Sequence, residues 1–301
     1  MTPFRWAAGT LALLLIPLGA PAQELEPGAY WPIPKNLTIF TVVNSFNWGD
    51  LAFDPALPVD DGKATINTSV VAFTRAFSLA GRSANAGLAL PVVGGHLEGV
   101  YLGTFLETSR FGLGDPRVRV AVNLYGAPAM TPREFISYRQ GRIVGVSVTV
   151  APPVGQYDST KVVNLGTNRW SFKSEIGFSQ TRGSWVLELM AGVWTFTDNN
   201  DFVGGRTRAQ APIVATQGHV TYKFNRSTWL AGDANFYTGG RTTIDGTQNL
   251  DLQRNSRVGA TFSMGLGGGH AIRASVSRGA YTTIGADFTS IAAGYNYAWA
   301  R

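Results

Sequence analysis

The chain has 301 residues, of which only 15% are charged, and it contains 36 glycines but no cysteine. Soluble proteins carry about 25% charged residues, so glycine and small polar residues, which favour turns and strands, replace much of the usual charge. Disulfides and thiolate metal sites are excluded, and the net charge of +6 includes no Lys/Arg run that would indicate nucleic-acid binding.

The N-terminus predicts a cleavable secretory signal over residues 1–22. Arg5 precedes the apolar run of residues 6–16, and two alanines form a small-x-small cleavage site at the end of the segment. The run is shorter than the ~20 residues that a membrane-spanning helix needs. We therefore expect the mature chain to be exported.

Residues 23–35 predict an extended periplasmic segment, because prolines stand at positions 27, 32 and 34. Two arrangements stay open for this segment. It either leads into the fold without fixed structure or enters the interior from below as a small plug. Termini are rarely ordered without anchoring contacts, so the sequence favours the disordered lead-in.

Residues 36–301 are predicted to form an all-β domain. The first two strands, residues 36–48 and 62–80, alternate poorly, so the facing of their side chains stays open. The predicted strand of residues 117–125 alternates strictly, with Arg117 and Arg119 on one face and valines on the other. Successive side chains of a strand point to opposite faces, so one face of this strand is aliphatic and the other is charged. The same pattern recurs in residues 142–151, 169–180, 254–264, 270–277 and 289–299.

A short helix is predicted near residues 132–139, between two of these strands. Thr131 can act as its N-cap, Pro132 occupies the first helical position, and Glu134 can reach back to the cap. No longer stretch shows the i, i+3, i+4, i+7 spacing of an amphipathic helix. We expect this helix to lie on the surface and to close one end of the domain, and a gating role is the alternative.

Long and short connections alternate from residue 151 to the C-terminus. The short ones are residues 181–184, 225–227 and 265–269, and the long polar ones are residues 152–168, 197–210, 238–252 and 279–287. Outer-membrane barrels show this rhythm, with short periplasmic turns and longer outer loops, whereas a Greek-key sandwich has no reason to produce it. The sequence therefore predicts a transmembrane antiparallel up-and-down β-barrel of about twelve strands, an even number as in bacterial barrels, with the helix on the periplasmic side.

The two faces of the predicted strands indicate what such a barrel would contact on its outside and in its lumen. Aliphatic faces would contact outer-membrane lipid, charged faces would line the lumen, and closure would satisfy the backbone hydrogen-bonding groups. The last strand ends with Tyr295, Tyr297 and Trp299 on one face, which suits an interfacial girdle and a C-terminal signal for the barrel-assembly machinery. The three histidines lack metal-ligand spacing, so we expect neither a metal nor a cofactor, and a small-molecule solute is the remaining partner.

Charged residues of several strands fall on the predicted lumen face. They are Arg117, Arg119, Arg169, Lys173, Glu175, Glu188, Lys223, Asp233, Arg257 and Arg273. They could line an open pore and favour anions or polarisable solutes, as charged rings do in channels. Alternatively, they pair across strands and fill a narrow lumen, as side chains do in small barrels. Both alternatives stay open, because twelve strands lie between the filled and the open regimes.

Three aromatic residues, Trp194, Phe196 and Tyr237, share the lumen face near the predicted outer mouth. Rings at this place could receive an aromatic solute, but aromatic clusters more often pack as core beneath folded loops. The polar loop of residues 155–169 presents a similar choice. It could fold inward as a constriction or stay exposed.

Four stretches of the chain resemble a known family. They are "GLGDPRVRVAVNLYGAPA", "PPVGQYDSTKVVNLGTNRWSFKSEIGFS", "NDFVGG" and "SRGAYTTIGADFTSIAAGYNYAW". The chain is similar, from about Tyr30 to Trp299, to the outer-membrane transporters associated with the meta-pathway of phenol degradation. The resemblance implies a β-barrel that passes small, often aromatic molecules across the outer membrane. It assigns no ligand residues.

The leading function predicted from the sequence is passive uptake of small solutes, with aromatic molecules as a candidate class, through a channel in the outer membrane of a Gram-negative cell. A closed structural barrel without traffic is the alternative, since side chains can fill a barrel of this size. An outer-membrane hydrolase is a third class, for which His219 and Asp233 would be available. No nucleophile motif surrounds any serine, so we expect that the protein is not an enzyme.

Overall fold

The structure is a computed structural model that describes residues 25–52, 59–161 and 163–300. The predicted signal peptide, residues 1–22, lies outside the described residues. In chain order the elements are β1 (Leu37–Ala52), β2 (Val59–Leu79), β3 (Arg82–Tyr101), β4 (Thr104–Leu113), β5 (Arg117–Tyr125), α1 (Pro132–Ser137), β6 (Arg142–Ala151), β7 (Ser171–Arg182), β8 (Trp185–Phe196), β9 (Asn199–Phe202), β10 (Arg206–Gln210), β11 (Ile213–Lys223), β12 (Thr228–Gly239), β13 (Thr242–Ile244), β14 (Thr247–Gln248), β15 (Gln253–Gly267), β16 (His270–Thr282) and β17 (Gly285–Ala300).

The described strands close into an antiparallel barrel of twelve strand positions, which confirms the predicted fold. Around the barrel the order is β1, β2, β3, β5, β6, β7, β8, β11, β12, β15, β16 and β17, and β17 pairs with β1. Each of these twelve strands has two neighbours, so their backbone donors and acceptors find partners within the ring, whereas β4 pairs only with β3. No helix in the described ranges is long and apolar enough to cross a membrane.

One barrel position is shared by β4 and β5, which are separated at residues 114–116. The lower part of β3 pairs with β5, as at Ala89 and Arg117, and its upper part pairs with β4 from Val92 and Leu113 onwards. Pro116 has no N–H to donate to the ladder, so the regular pairing stops here. This interruption places Arg117 at the outer end of β5.

The strict alternation of the sequence becomes an apolar outside and a more polar inside. Val118 and Val120 of β5 are 41% and 45% exposed, whereas Ala121 and Asn123 are 3% and 5% exposed. Val148 of β6 and the leucines of β8 are exposed in the same alternating way, and the other outward valines of β6 are half-buried. The exposed apolar side chains face the acyl chains of a membrane, and the buried ones face the barrel interior.

The facing of the first two strands, which the sequence left open, follows from the pairing register. Val43 of β1 lies opposite Gly294 of β17 and Val70 of β2, and these three positions point inward. Val42, the neighbour of Val43, points outward and is 37% exposed. The two strands alternate poorly in the sequence because polar and apolar residues occur on both of their faces.

The long connections gather at one end of the barrel, and two of them fold together. Strands β9 and β10 lie between β8 and β11, and β13 and β14 lie between β12 and β15; all four form a separate small sheet. The predicted long loop at residues 279–287 is wrong, because β16 runs to Thr282 and β17 begins at Gly285. Polar residues there extend the two strands rather than forming a loop, and polarity alone does not distinguish the two cases.

The predicted helix is confirmed as α1, at the end of the barrel where the short turns lie. Thr131 Oγ1 accepts a hydrogen bond from the Glu134 amide at 3.3 Å, and the Thr131 amide donates to Glu134 Oε2 at 2.7 Å. These two bonds form a capping box. Both hydrogen bonds to the Glu134 carboxylate, from the backbone and the hydroxyl of Thr131, hold its pKa below the usual range.

Candidate functional site

The N-terminal segment lies inside the barrel, which overturns the expected disordered lead-in for the described residues 25–35. The amide of Glu26 donates to Gln217 Oε1 at 3.1 Å, and the amide of Gly28 donates to Glu188 Oε2 at 3.0 Å. Glu188 is 1% exposed, and a buried carboxylate requires hydrogen-bond donors. The segment supplies one, so the barrel interior orders its own N-terminus. We call residues 26–31 the inner segment.

Tyr30 is the most closely packed residue of the inner segment and is 2% exposed. Its hydroxyl donates to Glu175 Oε1 at 3.0 Å and is hydrogen-bonded to the Ser147 hydroxyl at 3.0 Å. Asn123 Nδ2 donates to the Tyr30 carbonyl at 3.1 Å. Strands β5, β6 and β7 therefore each contribute one polar side chain that fixes this residue.

The Tyr30 ring fits into a slot made by two glycines. A Cβ atom on Gly145 or Gly177 would overlap the ring, and both glycines are on the inward face of neighbouring strands. The Arg119 guanidinium lies over the ring, 5.2 Å from its centroid. A ring can lie this close to the barrel wall only where the wall has no side chain.

Trp31 anchors the segment at its other end. Its ring meets that of Trp229 edge-to-face at 5.4 Å, and the Lys223 ammonium lies 4.0 Å from the Trp31 centroid. The Arg273 guanidinium lies 5.2 Å from the Trp229 ring. Two cations thus flank a pair of tryptophans, an arrangement that the negative faces of the rings stabilise.

The predicted charged residues mostly meet partners inside the barrel. Lys173 Nζ lies 2.7 Å from Glu175 Oε2. Arg257 donates to the hydroxyls of Ser277 and Ser290 at 2.7 and 2.8 Å. Because a buried charge is costly without partners, such contacts are what a partly filled lumen requires. Their role in selecting a solute stays a prediction.

His219 and Asp233, the two residues considered for a hydrolase, form a buried hydrogen-bonded pair. His219 Nδ1 lies 2.7 Å from Asp233 Oδ1, and His219 Nε2 lies 3.3 Å from Gln217 Oε1. The Thr261 hydroxyl donates to Asp233 Oδ2 at 2.6 Å. Both ring nitrogens of the histidine face groups that are not nucleophiles, so this geometry activates no serine or threonine.

The lumen has two unlike walls. The first, which we call the small-residue wall, is formed by β17, β1, β2 and β3, with inward residues such as Ala292, Val43, Val70 and Ala89. None of the inward positions of these strands in residues 39–51, 64–76, 83–97 and 286–298 carries a charged side chain. These four named residues are half-buried.

The opposite side, which we call the polar wall, is formed by β5 to β8 and by β11, β12 and β15. Its inward residues, such as Lys173, Glu175, Glu188 and Asp233, are buried. The inner segment makes its contacts with this wall. The inner segment therefore occupies the side of the lumen along the polar wall, and the half-buried residues of the small-residue wall line the accessible side.

The loop between β6 and β7, described at residues 152–161 and 163–170, folds over the outer end of the lumen, as the constriction alternative predicts. Val163 and Leu165 belong to a buried cluster with Ile66, Val93 and Phe288 on the small-residue wall. Arg169 is 4% exposed and lies 4.3 Å from the Phe196 ring. Burial, and then the like charge of Arg208, lower the pKa of this arginine to about 9.

Asp115, which the sequence analysis missed, holds this loop in place. Its Oδ1 accepts from the Gly155 amide at 2.9 Å, and its Oδ2 accepts from the amide and the hydroxyl of Thr167 at 2.8 and 2.7 Å. Gly155 also packs so closely against Asp115 that a Cβ atom would collide with the backbone there. The "GDP" sequence at residues 114–116 was the available signal, because it interrupts an otherwise regular strand.

Replacing Asp115 should release the loop. We expect Asp115→Ala to speed trypsin cleavage after Lys161, an exposed loop residue, by about tenfold, because cleavage follows local opening. Asp115→Asn retains one acceptor oxygen and should give an intermediate rate. Limited proteolysis of the folded protein in detergent, followed by mass spectrometry, measures both rates. Equal rates in the wild type and Asp115→Ala would show that other contacts hold the loop.

The three predicted ligand-contact aromatics come together at the outer end of the polar wall. Trp194 and Tyr237 are buried in one cluster with Ile213, and Phe196 packs against it. Asn255 Nδ2 donates to the Tyr237 hydroxyl at 2.8 Å. The cluster lies beneath the loops, the arrangement of the packing alternative, and direct contact with a ligand stays a prediction.

Comparisons with known proteins agree with this architecture. A profile of the family described as "Putative MetA-pathway of phenol degradation" matches residues 54–292. The fold is similar to the crystal structure of an outer membrane channel from Pseudomonas putida F1, with a TM-score of 0.79 and 22% identity over 92% of this chain and 100% of that chain. It is also similar to the transport unit of the autotransporter AIDA-I from Escherichia coli, with a TM-score of 0.53 and 8% identity over 93% and 95% of the two chains. No curated protein sequence matches the chain. The chain therefore belongs to the family described as "Putative MetA-pathway of phenol degradation", and its fold is that of outer-membrane β-barrels.

Proposed function

We propose that the protein is an outer-membrane channel through which small, largely apolar molecules, including single-ring aromatic compounds, diffuse passively into the periplasm. The observation that carries this proposal is the division of the lumen. Membership of a family described by phenol degradation supports the aromatic part of the proposal. A cleavable signal peptide and insertion by the barrel-assembly machinery belong to the same proposal.

The small-residue wall favours apolar solutes over ions. Val43 and Val70 face the lumen from neighbouring strands, and Ala72 and Ala292 extend this surface along the barrel. Binding surfaces for small organic molecules are mostly apolar, with few polar groups. An ion that moves along this wall would lose water contacts without gaining charged partners. An apolar ring would lose little free energy by the same move.

A closed structural barrel is the second candidate, and the filled polar half of the lumen favours it. The inner segment occupies space that a solute would need, and the charged residues behind it are buried. The two candidates differ in one measurable property. A channel raises the rate of solute entry above that of cells without the protein, and a closed barrel does not.

Blocking the small-residue wall tests the proposal. We expect Val43→Trp to lower the initial uptake rate of a radiolabelled single-ring phenol by about fivefold, because the larger ring narrows the accessible part of the lumen. Uptake is measured in cells that lack other porins, at a solute concentration that leaves entry rate-limiting. The matched control is Val42→Trp at the preceding residue, which faces lipid and should leave uptake unchanged.

Two results would contradict the proposal. Wild-type uptake equal to that of cells without the protein would favour the closed structural barrel. Equal uptake by Val43→Trp and the wild type, with both proteins folded in the membrane, would show that solutes do not pass along this wall.

A further inference from the structure

The end of the barrel that carries the short turns and α1 is strongly basic. We call its seven exposed arginines the basic rim: Arg75, Arg82, Arg133, Arg139, Arg142, Arg182 and Arg226. Glu134 is the one exposed carboxylate among the described residues of this end, and the capping box of α1 holds it. The basic rim therefore has a large excess of positive charge.

The outward face at the other end of the barrel mixes both signs of charge. Asp50 of β1 lies opposite Lys63 of β2, and Glu98 of β3 lies opposite Glu107 of β4. The net charge of the whole chain is only +6. The excess of arginine is therefore a property of the short-turn end and does not follow from composition alone.

The arginines of the basic rim meet neutral partners. The ion pairs between described residues include none of the seven arginines. Arg75 Nη1 donates to Thr38 Oγ1 at 2.6 Å, and Arg226 Nη1 donates to the Ile136 carbonyl at 2.7 Å. These neutral acceptors orient the side chains and leave their positive charge uncompensated.

Two arginines of the basic rim are neighbours on the outward face of β6 and β7. The register pairs Arg142 with Gln180, and Arg182 is two residues beyond Gln180 on the same face of β7. Arg142 Nε donates to Gln180 Oε1 at 2.8 Å. A guanidinium has five N–H donors, so this bond leaves the terminal nitrogens of Arg142 available to an acceptor outside the barrel.

Aromatic side chains place the basic rim at the depth of the lipid head groups. Trp185 is 55% exposed and pairs with Arg182 across the turn between β7 and β8. Phe73 is 46% exposed and lies two residues from Arg75 on the same face of β2. Tryptophan concentrates at the membrane–water interface, and an arginine there extends its charged end toward the head groups.

We propose that the basic rim binds the head groups of anionic phospholipids, with Arg142 and Arg182 as the main contacts. Bacterial barrels place their short turns in the periplasm, so these lipids belong to the periplasmic leaflet. A guanidinium matches the oxygens of a phosphate group. A zwitterionic head group also has a phosphate, but the arginines repel its ammonium. This inference does not depend on the passage of solutes through the lumen.

The first experiment measures lipid binding to the full-length mature protein in detergent by native mass spectrometry. The probes are phosphatidylglycerol and phosphatidylethanolamine with identical acyl chains, so that only the head group differs. We expect phosphatidylglycerol to bind about tenfold more tightly, because arginines near the membrane surface attract anionic lipids. Equal affinities would overturn the proposal and would leave the basic rim to an acidic protein of the periplasm.

The second experiment uses double variants with a matched control. Arg142→Gln with Arg182→Gln should reduce the preference for phosphatidylglycerol to about twofold, whereas Arg142→Lys with Arg182→Lys should keep most of it. The control is Arg254→Gln with Arg278→Gln, which removes two exposed arginines from the outer ends of β15 and β16. It changes the net charge equally and should keep the wild-type preference.

The two glutamine variants separate a local site from a general effect of charge. Loss of the preference in the rim variant alone would support the assignment of Arg142 and Arg182. Equal losses in both glutamine variants would indicate that net charge sets the preference and would overturn the assigned site. Heat-modifiable gel mobility confirms that each variant is folded.

Discussion

Deletion of the inner segment, residues 26–31, is expected to raise the single-channel conductance of the protein in planar bilayers by about tenfold, because the open cross-section sets ion flow. The segment fills the polar half of the lumen and contacts Glu188, Glu175 and Trp229. Its removal leaves a water-filled path lined with charged residues. The same deletion removes the hydrogen bonds that Gly28 and Tyr30 donate to Glu188 and Glu175, so we also expect the free energy of unfolding to fall by about 1.5–3 kcal/mol for each lost bond to a charged group.

Two substitutions serve as controls for this deletion. Gly177→Leu places a side chain in the slot of the Tyr30 ring, and it should raise conductance without shortening the chain. Tyr30→Phe keeps the ring in the slot and removes only the hydroxyl, so its conductance should stay near the wild-type value. An unchanged conductance after the deletion would mean that the outer loops, rather than the inner segment, limit ion flow.

Introducing a charge on the lipid face should destabilise the barrel according to depth. Leu189 and Trp185 lie on the same face of β8, near its middle and at its short-turn end, with exposures of 54% and 55%. We expect Leu189→Arg to lower the free energy of unfolding by about 2–4 kcal/mol, and Trp185→Arg to lower it by about 0–1 kcal/mol through the charge. The difference arises because a cation near the interface can reach water and lipid head groups.

Urea unfolding from lipid vesicles measures both free energies. Trp185 also contacts the Tyr222 ring edge-to-face at 4.9 Å, so Trp185→Ala is needed to separate the loss of this ring pair from the effect of the charge. If arginine lowers the free energy of unfolding equally at the two positions, the placement of Leu189 in the membrane centre and of Trp185 near the interface is contradicted. A negligible cost at Leu189 would contradict the lipid-facing assignment of this face of β8.

The divided lumen explains how one barrel can be both filled and accessible. Twelve strands enclose more space than their own side chains fill. The chain fills the side along the polar wall with its own N-terminus, which supplies backbone amides and aromatic rings to polar groups such as Glu188 and Lys223. The strands without inward charges need no such partners, so the space beside them stays accessible.

Much of the fold was accessible to sequence analysis because its signals are local. The alternation of Val118 and Val120 with Arg117 and Arg119 has a period of two residues, which only a strand places on two faces. The capping box of α1 needs only Thr131 and its near neighbours. The lipid-facing surface, the number of strands and the helix were therefore predictable.

Tertiary structure alone decided what occupies the lumen. The Tyr30 hydroxyl meets Ser147 across 117 positions of sequence, and Glu26 meets Gln217 across 191. No local pattern encodes such contacts, because they depend on which strands become neighbours when the ring closes. Which faces of β1 and β2 point toward the lumen could not be predicted from the sequence, for a related reason. Their two faces are similar in polarity, so only pairing with β17 and β3 determines which one points toward the lumen.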